Sequence, residues 1–256
     1  MRTTLRTAGI VAALALTLAG CVARESASEQ PRGSDFTPSS ETATETEAET
    51  ETETETATDG TCEFQADPSQ QPVVGLPPED SQATGTTLTL TTSAGPLAIQ
   101  LDTGRAPCTV SSQVFLAGEG YFDNTVCHRL TTSASLKVLQ CGDPEGTGGG
   151  GPGYVVPDEL PTDLPEGPTT SGTETVIYQR GIVAMANAGP NTTGSQFFLV
   201  FGDSTLPPNY TVWGKLDEAS LATLDAIAAG GVAAGGQSPE DGPPATEVTI
   251  QSAQAA

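Results

Sequence analysis

The sequence predicts a mainly β protein, in which one closed barrel of eight to nine short strands is capped by two helices. The chain has 256 residues, with 29 glycines and 20 prolines but only 5% aromatic residues, and this composition is typical of a turn-rich β fold. From about residue 84 onward, short runs alternate apolar and polar residues with a period of two, as strands do. Closing the sheet removes its exposed edges, and about 170 residues are enough for one core.

The first predicted elements of the domain are a hairpin and a helix. Alternating runs at 86–91 and 97–101 flank a Ser-Ala-Gly-Pro turn, so they predict two paired strands. Pro107 then stands at the first position of a predicted helix, which ends near residues 118–120. One face of this helix is apolar and carries Val110, Val114 and Phe115.

The rest of the domain predicts short strands, long loops and one more helix. Strand-like runs occur at 125–130, 136–140, 154–156, 181–186, 196–201, 211–215 and 246–251. The second helix is predicted at 218–229, with Leu221, Leu224 and Ile227 on one side. Residues 146–153 and 157–173 are predicted to be loops.

The N-terminus has the features of a bacterial export signal. Arg2 and Arg6 precede the apolar run Ala8–Ala19, which is too short to span a bilayer as a helix. The run ends in Leu-Ala-Gly-Cys, which resembles a lipobox, where the signal is removed and the cysteine is lipidated. We therefore expect a signal peptide at 1–20, a lipid on Cys21 and attachment to the outer face of the cytoplasmic membrane. An ordinary secretion signal is the alternative.

The charge of the chain is concentrated after this signal. The 32 acidic and 9 basic residues give a net charge of −23, which argues against nucleic acid as a partner. Eleven acidic residues lie within 25–60, where 41–58 is almost a Thr/Glu alternation. Such a segment has little apolar surface to offset its ordering entropy. Residues 21–83 are therefore predicted to be a disordered acidic linker with a Pro-rich lead-in, and 84–254 the folded domain. An acidic metal-buffering tail is the alternative for the linker.

The cysteines beyond Cys21 indicate disulfides. An even number of cysteines in an exported protein predicts pairing in an oxidising compartment. Sequence leaves all three pairings open, and buried free thiols are the alternative. The four residues are Cys62, Cys108, Cys127 and Cys141.

Several motifs are rejected as sites of chemistry. The lone histidine, His128, excludes a multi-histidine metal site. Cys127 precedes it on a predicted strand, so the two side chains are expected on opposite faces and do not form a nucleophilic pair. The glycine run 148–153 contains a formal GxGxxG pattern but precedes a strand instead of a helix, which excludes a dinucleotide site. We expect no metal and no cofactor.

One segment has a more specific pattern. The run Met185–Phe198 is a strand end, a Gly/Pro/Asn turn and a second strand, and it resembles the signature segment of cyclophilin-type peptidyl-prolyl isomerases. Supporting segments follow the order of the family: Tyr121–Arg129, Leu139–Pro144, Tyr154–Glu159 and Trp213–Lys215. The resemblance covers about residues 84–253. It is a resemblance to the bacterial, actinobacterial-like lipoprotein form of this family.

The resemblance implies a fold and an activity. The fold is an eight-stranded antiparallel barrel closed by two helices, with a shallow groove for Xaa-Pro peptides. The activity is prolyl cis/trans isomerisation, whose barrier of ~18–20 kcal/mol comes from amide resonance. No bond is broken, so no nucleophile, metal or general base is needed. We expect a monomer that acts on proline-containing peptides or unfolded exported proteins. The alternative is a catalytically weakened peptide-binding or scaffold module of the same fold.

The resemblance also implies roles for individual residues. Arg129 takes the place of the arginine that polarises the prolyl amide, and Gln140 that of the glutamine that binds the substrate backbone. The backbone of Asn187 is expected to grip the peptide. The other expected substrate-binding residues are Ala186, Ala188, Gln196, Phe198, Leu206, Val138 and Tyr210.

The sequence departs from the family pattern at three places. The stretch 130–139 is longer than usual and lacks a Pro-Gly-Phe core, so Lys137 falls where an aromatic pocket wall is expected, unless Leu136 fills that place. Tyr210 stands where many relatives have histidine. Thr205 stands where cyclosporin-sensitive relatives have tryptophan, which predicts weak cyclosporin binding in calorimetry. Lys137 and the altered stretch 130–139 are the features that favour the weakened module.

Overall fold

The computed structural model describes residues 61–67, 69, 74–79 and 85–256. The predicted signal peptide, Cys21 and the Thr/Glu-rich part of the linker lie outside the described residues. The described part is mainly β and has two helices. Among its helices, none combines the length and the apolar character needed to cross a membrane.

The elements follow one another in an order that begins with a short strand in the lead-in. They are β1 (Gln65–Ala66), β2 (Thr87–Thr92), β3 (Gly95–Leu101), α1 (Pro107–Gly118), β4 (Thr125–Val126), β5 (Arg129–Thr132), β6 (Lys137–Cys141), β7 (Tyr154–Val155), β8 (Val176–Tyr178), β9 (Ile182–Met185), β10 (Phe197–Gly202), β11 (Ser204–Leu206), β12 (Val212–Leu216), α2 (Glu218–Ala229), β13 (Asp241–Gly242) and β14 (Thr249–Ala255).

Ten of these strands form one antiparallel sheet in the order β13-β5-β6-β10-β9-β12-β3-β2-β14-β4. Only Cys127 and His128 separate β4, at one end of this order, from β5, next to the other end. The sheet therefore curls back on itself. Eight of its strands have at least four residues, and the two end strands have two residues each. A strand of two residues is too short to show an alternation of apolar and polar residues. The sequence therefore predicts fewer strands than the structure has.

The hairpin of β2 and β3 follows the predicted alternation. Leu88 and Leu90 lie on the same face of β2 and are fully buried. Thr91, the next residue, lies on the opposite face and is exposed. The pairing ends at Thr92 and Gly95, and Gly95 has a φ of +128°, which L side chains rarely adopt. The turn residue is therefore a glycine because the backbone requires it.

Both helices lie where the sequence predicts them. Asp217 caps α2, since its carboxylate accepts a hydrogen bond from the backbone N–H of Ser220 at 2.8 Å. Helix α1 has Ala106 at the capping position, which offers no side-chain acceptor. Glu159, from the loop 157–173, takes that role: it accepts hydrogen bonds from the backbone N–H groups of Cys108 and Thr109 at 3.0 and 2.8 Å.

Two disulfides resolve the pairing that the sequence leaves open: Cys62 pairs with Cys108, and Cys127 pairs with Cys141. The first joins the lead-in to α1. Next to it, β1 pairs with β7, and the ring of Phe64 meets that of Tyr154 edge-on at 5.9 Å. This end of the lead-in, residues 61–67, is called the N-terminal arm below.

Several predicted boundaries are wrong, and pairing explains each. The expected strand 125–130 is split into β4 and β5, because Cys127 leaves the strand to bond Cys141 and the carbonyl of Val248. The prediction that Cys127 and His128 alternate on one strand is therefore wrong. The last strand is displaced to β14, because its partner in the sheet is β2. Strands β8 and β11 were not predicted, and they pair with each other outside the main sheet.

Candidate active site

The outer face of the curled sheet carries a second hydrophobic cluster, separate from the main core. Successive side chains of β10 point to opposite faces, so Phe197 and Leu199 enter the core while Phe198 and Val200 join this second cluster. We call it the outer apolar cluster. Its buried members are Val138, Tyr178, Ile182, Ala184, Phe198, Val200 and Val212, and the partly buried residues packed against it are Leu136, Leu164, Val176, Ala186, Leu206 and Tyr210.

Five residues predicted to bind substrate meet in this cluster. They are Val138, Ala186, Phe198, Leu206 and Tyr210. They come from four separate stretches of the chain, so their meeting depends on the order of the strands. The apolar wall expected from the resemblance is therefore assembled, while the role of each residue in binding stays a prediction.

Tyr178 forms the centre of the aromatic part of this wall. Its ring lies 6.1 Å from that of Phe198 and 6.1 Å from that of Tyr210, and the last two are 5.7 Å apart, all edge-on. The hydroxyl of Tyr178 donates to the carbonyl of Tyr210 and accepts from its N–H, both at 3.1 Å. Burial raises the pKa of Tyr178, so the phenol stays protonated. Tyr178 was not predicted as a site residue, although the run Val-Ile-Tyr is a strand signal.

A row of polar side chains borders the outer apolar cluster. Arg129 and Gln140 are cross-strand partners in β5 and β6, and Gln196 directly precedes β10. Arg129 Nη1 donates to Gln140 Oε1 at 3.3 Å, and Gln140 Nε2 donates to Gln196 Oε1 at 2.9 Å. The structure thus brings the two predicted catalytic residues into direct contact.

Asp241 completes this row and was not predicted. Its carboxylate accepts from Nε and Nη2 of Arg129, both at 2.8 Å, in a two-point ion pair. This pair raises the pKa of Arg129 above its ordinary value and holds the pKa of Asp241 below its own. Asp241 lies 112 residues further along the chain, in a Gly/Pro-rich stretch without periodicity. Only the pairing of β13 with β5 brings it to the arginine.

The glycine run 148–153 holds Gln196, the residue at the other end of the polar row, by hydrogen bonds. Gln196 Nε2 donates to the carbonyls of Gly148 and Gly150 at 3.0 and 2.9 Å. The loop that presents these carbonyls is organised by Asp143, which is fully buried. Burial raises the pKa of Asp143, but hydrogen bonds from the backbone of Glu145, Gly150, Gly148 and Thr147 outweigh burial, and the net pKa is lowered. The run is therefore a scaffold for Gln196.

The segment after β9 contains the remaining predicted residues. Ala186 donates its N–H to the carbonyl of Gln196 at 2.9 Å, and Ala188 donates to Thr192 Oγ1 at 2.8 Å. The side chain of Asn187 donates from Nδ2 to the carbonyl of Asn209 at 2.8 Å. Asn187 thereby ties this segment to the stretch that carries Tyr210. All ten predicted catalytic and substrate-binding residues meet on one surface.

Lys137 does not point into the apolar wall. Its ammonium donates to the carbonyl of Ala134 at 2.8 Å and lies 3.5 Å from that of Asp203. Leu136 packs against the outer apolar cluster instead. The longer stretch 130–139 therefore supplies an apolar side chain at this position.

The site offers an apolar surface for a ring beside a guanidinium that donates hydrogen bonds. A model of the family described as cyclophilin-type peptidyl-prolyl cis-trans isomerase matches residues 87–255. The chain belongs to the cyclophilin family. In this cyclophilin the match begins at β2 and ends at the last residue of β14, so it includes the whole polar row and the outer apolar cluster but leaves out the N-terminal arm.

Curated relatives and solved structures agree with this assignment. The chain is 52% identical over 189 residues to "Probable peptidyl-prolyl cis-trans isomerase B" of Mycobacterium leprae, covering 73% of this chain and 62% of the relative. The Mycobacterium tuberculosis protein of the same name is 52% identical over 185 residues, covering 72% of this chain and 58% of that one. This cyclophilin thus spans only about three-fifths of the length of these relatives.

Among solved structures, a Cryptosporidium parvum cyclophilin-type isomerase matches with a TM-score of 0.53 and 28% identity, covering 68% of this chain and 98% of that chain. A second structure of that protein, determined in the presence of the dipeptide Ala-Pro, matches with a TM-score of 0.50 and 29% identity, covering 66% and 98%. Both support the cyclophilin fold of this chain.

Proposed function

We propose that this cyclophilin is a peptidyl-prolyl cis-trans isomerase that acts on Xaa-Pro bonds of exported proteins. The observation that carries the proposal is the position of Arg129, held by Asp241 at the border of the outer apolar cluster. The names of the mycobacterial relatives and the Ala-Pro dipeptide of the parasite structure support it. The groups needed are a seat for the prolyl ring and a donor beside its amide.

The proposed mechanism lowers a rotational barrier and breaks no covalent bond. Resonance in the prolyl amide accounts for ~18–20 kcal/mol. As the bond twists, the nitrogen pyramidalises and its lone pair becomes an acceptor, which the guanidinium of Arg129 can bind. This interaction exists only in the twisted state, so it stabilises the transition state over the ground state. Phe198 and its neighbours hold the ring while the preceding carbonyl rotates.

The other polar residues position the arginine and the peptide. Gln140 accepts a hydrogen bond from Arg129 through its side-chain oxygen and donates one to Gln196 through its side-chain nitrogen. These two contacts fix the orientation of the Gln140 side chain. A peptide carbonyl can replace one of these contacts when the substrate binds. The backbone of Asn187, beside Ala186 and Ala188, is the proposed grip for the extended peptide. No cofactor takes part in this mechanism.

We also propose where the enzyme works and in what form. The signal pattern at 1–20 and Cys21 support a lipid-anchored monomer on the outer face of the cytoplasmic membrane, joined by the acidic linker. The two disulfides support an oxidising compartment. The curled sheet, with β4 and β5 only two residues apart in the chain, supports a closed barrel built from the eight longer strands. Metabolic lipid labelling tests the anchor: label that persists in Cys21→Ala would refute it.

The activity is tested by NMR exchange on an Xaa-Pro peptide with the full chain. We expect acceleration by the wild type and a loss of about 10²–10³-fold in Arg129→Ala, the range for removing one transition-state donor. Arg180→Ala is the matched control, because Arg180 makes a similar two-point pair with Asp225 but is not part of the polar row. Thermal unfolding of both variants separates lost activity from lost structure.

Absence of any acceleration by the wild type would refute the enzyme and favour the peptide-binding module. The altered stretch 130–139 favours that module in the sequence, and so does Lys137. Its ammonium is directed at the carbonyl of Ala134, so it does not place a charge in the apolar wall. The isomerase is therefore the function that the geometry supports best.

A further inference from the structure

A second cleft, of about 220 Å³, opens beside the polar row. It is lined mostly by glycines and small residues, and it shares five residues with the proposed active site: Gln140, Ala186, Asn187, Ala188 and Gln196. Because glycine has no side chain, this lining leaves room for a side chain of a bound peptide. Among the described residues that line this cleft, Asp67 is the one with an ionised side chain at neutral pH.

Asp67 belongs to the N-terminal arm and therefore lies outside the matched family region, which begins at residue 87. Several contacts hold the arm in place, in addition to the ring contact of Phe64 with Tyr154. The backbone N–H of Asp67 donates to the carbonyl of Gly153 at 2.9 Å, and Ala66 pairs with Tyr154. The disulfide of Cys62 with Cys108 fastens the start of the arm. The carboxylate at the rim of the cleft is thus a feature of this chain's own lead-in.

The carboxylate of Asp67 is ionised and held in a fixed orientation, as a group that binds a cation must be. Its Oδ1 accepts from the N–H and the hydroxyl of Ser69 at 2.8 and 2.6 Å. These bonds lower the pKa of Asp67, so the group stays ionised in mildly acidic solution. Within the described part of the chain Oδ2 has no hydrogen-bond donor, and the cleft contains no lysine or arginine to neutralise the charge.

We propose that Asp67 makes this isomerase selective for proline peptides that carry a lysine or arginine close to the prolyl bond. The inference rests on the proposed function. A peptide held between Arg129 and the outer apolar cluster passes Gln140 and Gln196, which are also walls of the second cleft. A neighbouring side chain of that peptide enters the cleft, where its cation meets Asp67. Residues 61–256, with five basic and 21 acidic residues, add an overall charge of −16 that favours such clients.

The test is a matched series of Xaa-Pro peptides assayed with the full chain. Lysine, glutamine or glutamate is placed in turn at each of the three positions before and after the Xaa-Pro pair, and kcat/KM is measured by NMR exchange. At one position we expect lysine to exceed glutamine by about twofold to fivefold, the range for a solvent-exposed ion pair, and glutamate to fall below glutamine. Raising the ionic strength shrinks this preference, because salt screens it.

Two variants locate the charge. Asp67→Asn keeps an oxygen for Ser69 and is expected to abolish the preference while leaving kcat/KM for the glutamine peptide unchanged. Glu63→Gln removes the same charge from an exposed residue of the same arm that does not line the cleft, and it is expected to keep the preference. A preference that survives in Asp67→Asn, or equal kcat/KM for the three peptides at every position, overturns the proposal.

Failure of the proposed function gives a different result. If the wild type accelerates none of the peptides, the isomerase is refuted, and the same series is then measured for binding by calorimetry. An affinity order of lysine, glutamine, glutamate that disappears in Asp67→Asn still supports a cation-selective cleft. Equal affinities for the three peptides, or no binding of any of them, overturn it.

Discussion

Asp241 holds Arg129 by two nitrogen atoms of its guanidinium, each 2.8 Å from a carboxylate oxygen. The remaining nitrogen, Nη1, is directed at Gln140. The side chains of Arg129 and Asp241 are 35% and 25% exposed, so solvent screens this pair only in part. The carboxylate therefore sets the plane of the guanidinium, and the edge toward Gln140 is the one that the proposed mechanism directs at the peptide.

The first prediction is that Asp241→Asn lowers kcat/KM for an Xaa-Pro peptide by about tenfold. A displacement of a catalytic group by about 1 Å can cost about 100-fold, and the guanidinium of Arg129 is expected to shift by less than that. The effect is expected in kcat, since the apolar wall that binds the proline is unchanged. Kinetics by NMR exchange provide the measurement. Asp225→Asn, which breaks the equivalent pair of Arg180, is the control and should keep full activity. A loss confined to KM would contradict a positioning role.

The second prediction concerns acid stability. Asp143→Asn places an amide N–H₂ against the backbone N–H groups of Thr147 and Gly148, so it is expected to lower the free energy of unfolding at pH 7 by about 1–3 kcal/mol. The pKa of Asp143 is lower in the folded state than in the unfolded chain. Its ionisation therefore stabilises the fold fully above about pH 4, and this stabilisation is lost as the pH falls through the lowered pKa.

Urea unfolding at several pH values measures this difference. The gap between wild type and Asp143→Asn should narrow as the pH is lowered below about 4. Glu145→Gln removes a carboxylate from an exposed position in the same loop and should leave stability nearly unchanged. A gap that is constant with pH would show that the ionised form of Asp143 is not what holds the loop.

The third prediction is that Tyr178→Phe weakens both stability and activity. The variant leaves the N–H and the carbonyl of Tyr210 without the hydroxyl that pairs with them, at an expected cost of about 1–3 kcal/mol in urea unfolding. Because Tyr210 is part of the apolar wall, kcat/KM should fall as well. Tyr154→Phe also loses a buried hydroxyl contact, to Ser112, but inside the main core. It should lose stability without loss of kcat/KM, and equal activity losses in both variants would contradict the prediction.

The fourth prediction links the first disulfide to the N-terminal arm. Replacing Cys62 and Cys108 together by serine removes a link across 46 residues, which should lower the free energy of unfolding by about 2–4 kcal/mol. The arm is then held only by non-covalent contacts, such as the pairing of β1 with β7 and the hydrogen bond from Asp67 to Gly153, so the preference for cationic peptides should weaken. Activity toward a neutral peptide should persist, because the buried residues of the arm, Cys62 and Phe64, belong to the main core and not to the outer apolar cluster. Equal losses for neutral and cationic peptides would contradict this separation.

Local signals in the sequence account for the parts of the fold that were predicted correctly. Pro107 opens α1 and Asp217 caps α2, so both helices occupy the predicted residues. The alternation of β2 and β3 likewise predicts their buried faces. The residues that the family motifs single out lie near one another in the fold, while their roles in binding and catalysis stay predictions.

The parts that were missed depend on contacts between distant residues. Asp241 meets Arg129 only because β13 pairs with β5, and nothing near Asp241 in the sequence indicates a partner. The disulfide pairing likewise requires the positions of four cysteines in space. Strand ends moved by one to a few residues because hydrogen-bonding partners, and not local preference, decide where a strand stops. The same reason explains why Asp67 was assigned to a lead-in and not to a cleft.

The cap that Glu159 provides for α1 makes the long loop and the helix one cooperative unit. The loop 157–173 has little regular structure, yet Asp163 also pairs with Arg105 just before the helix. If the loop detaches, the first amides of α1 lose their acceptor together. Hydrogen exchange at Cys108 and Thr109 therefore reports the opening of a loop fifty residues away, which gives a direct measure of its motion in solution.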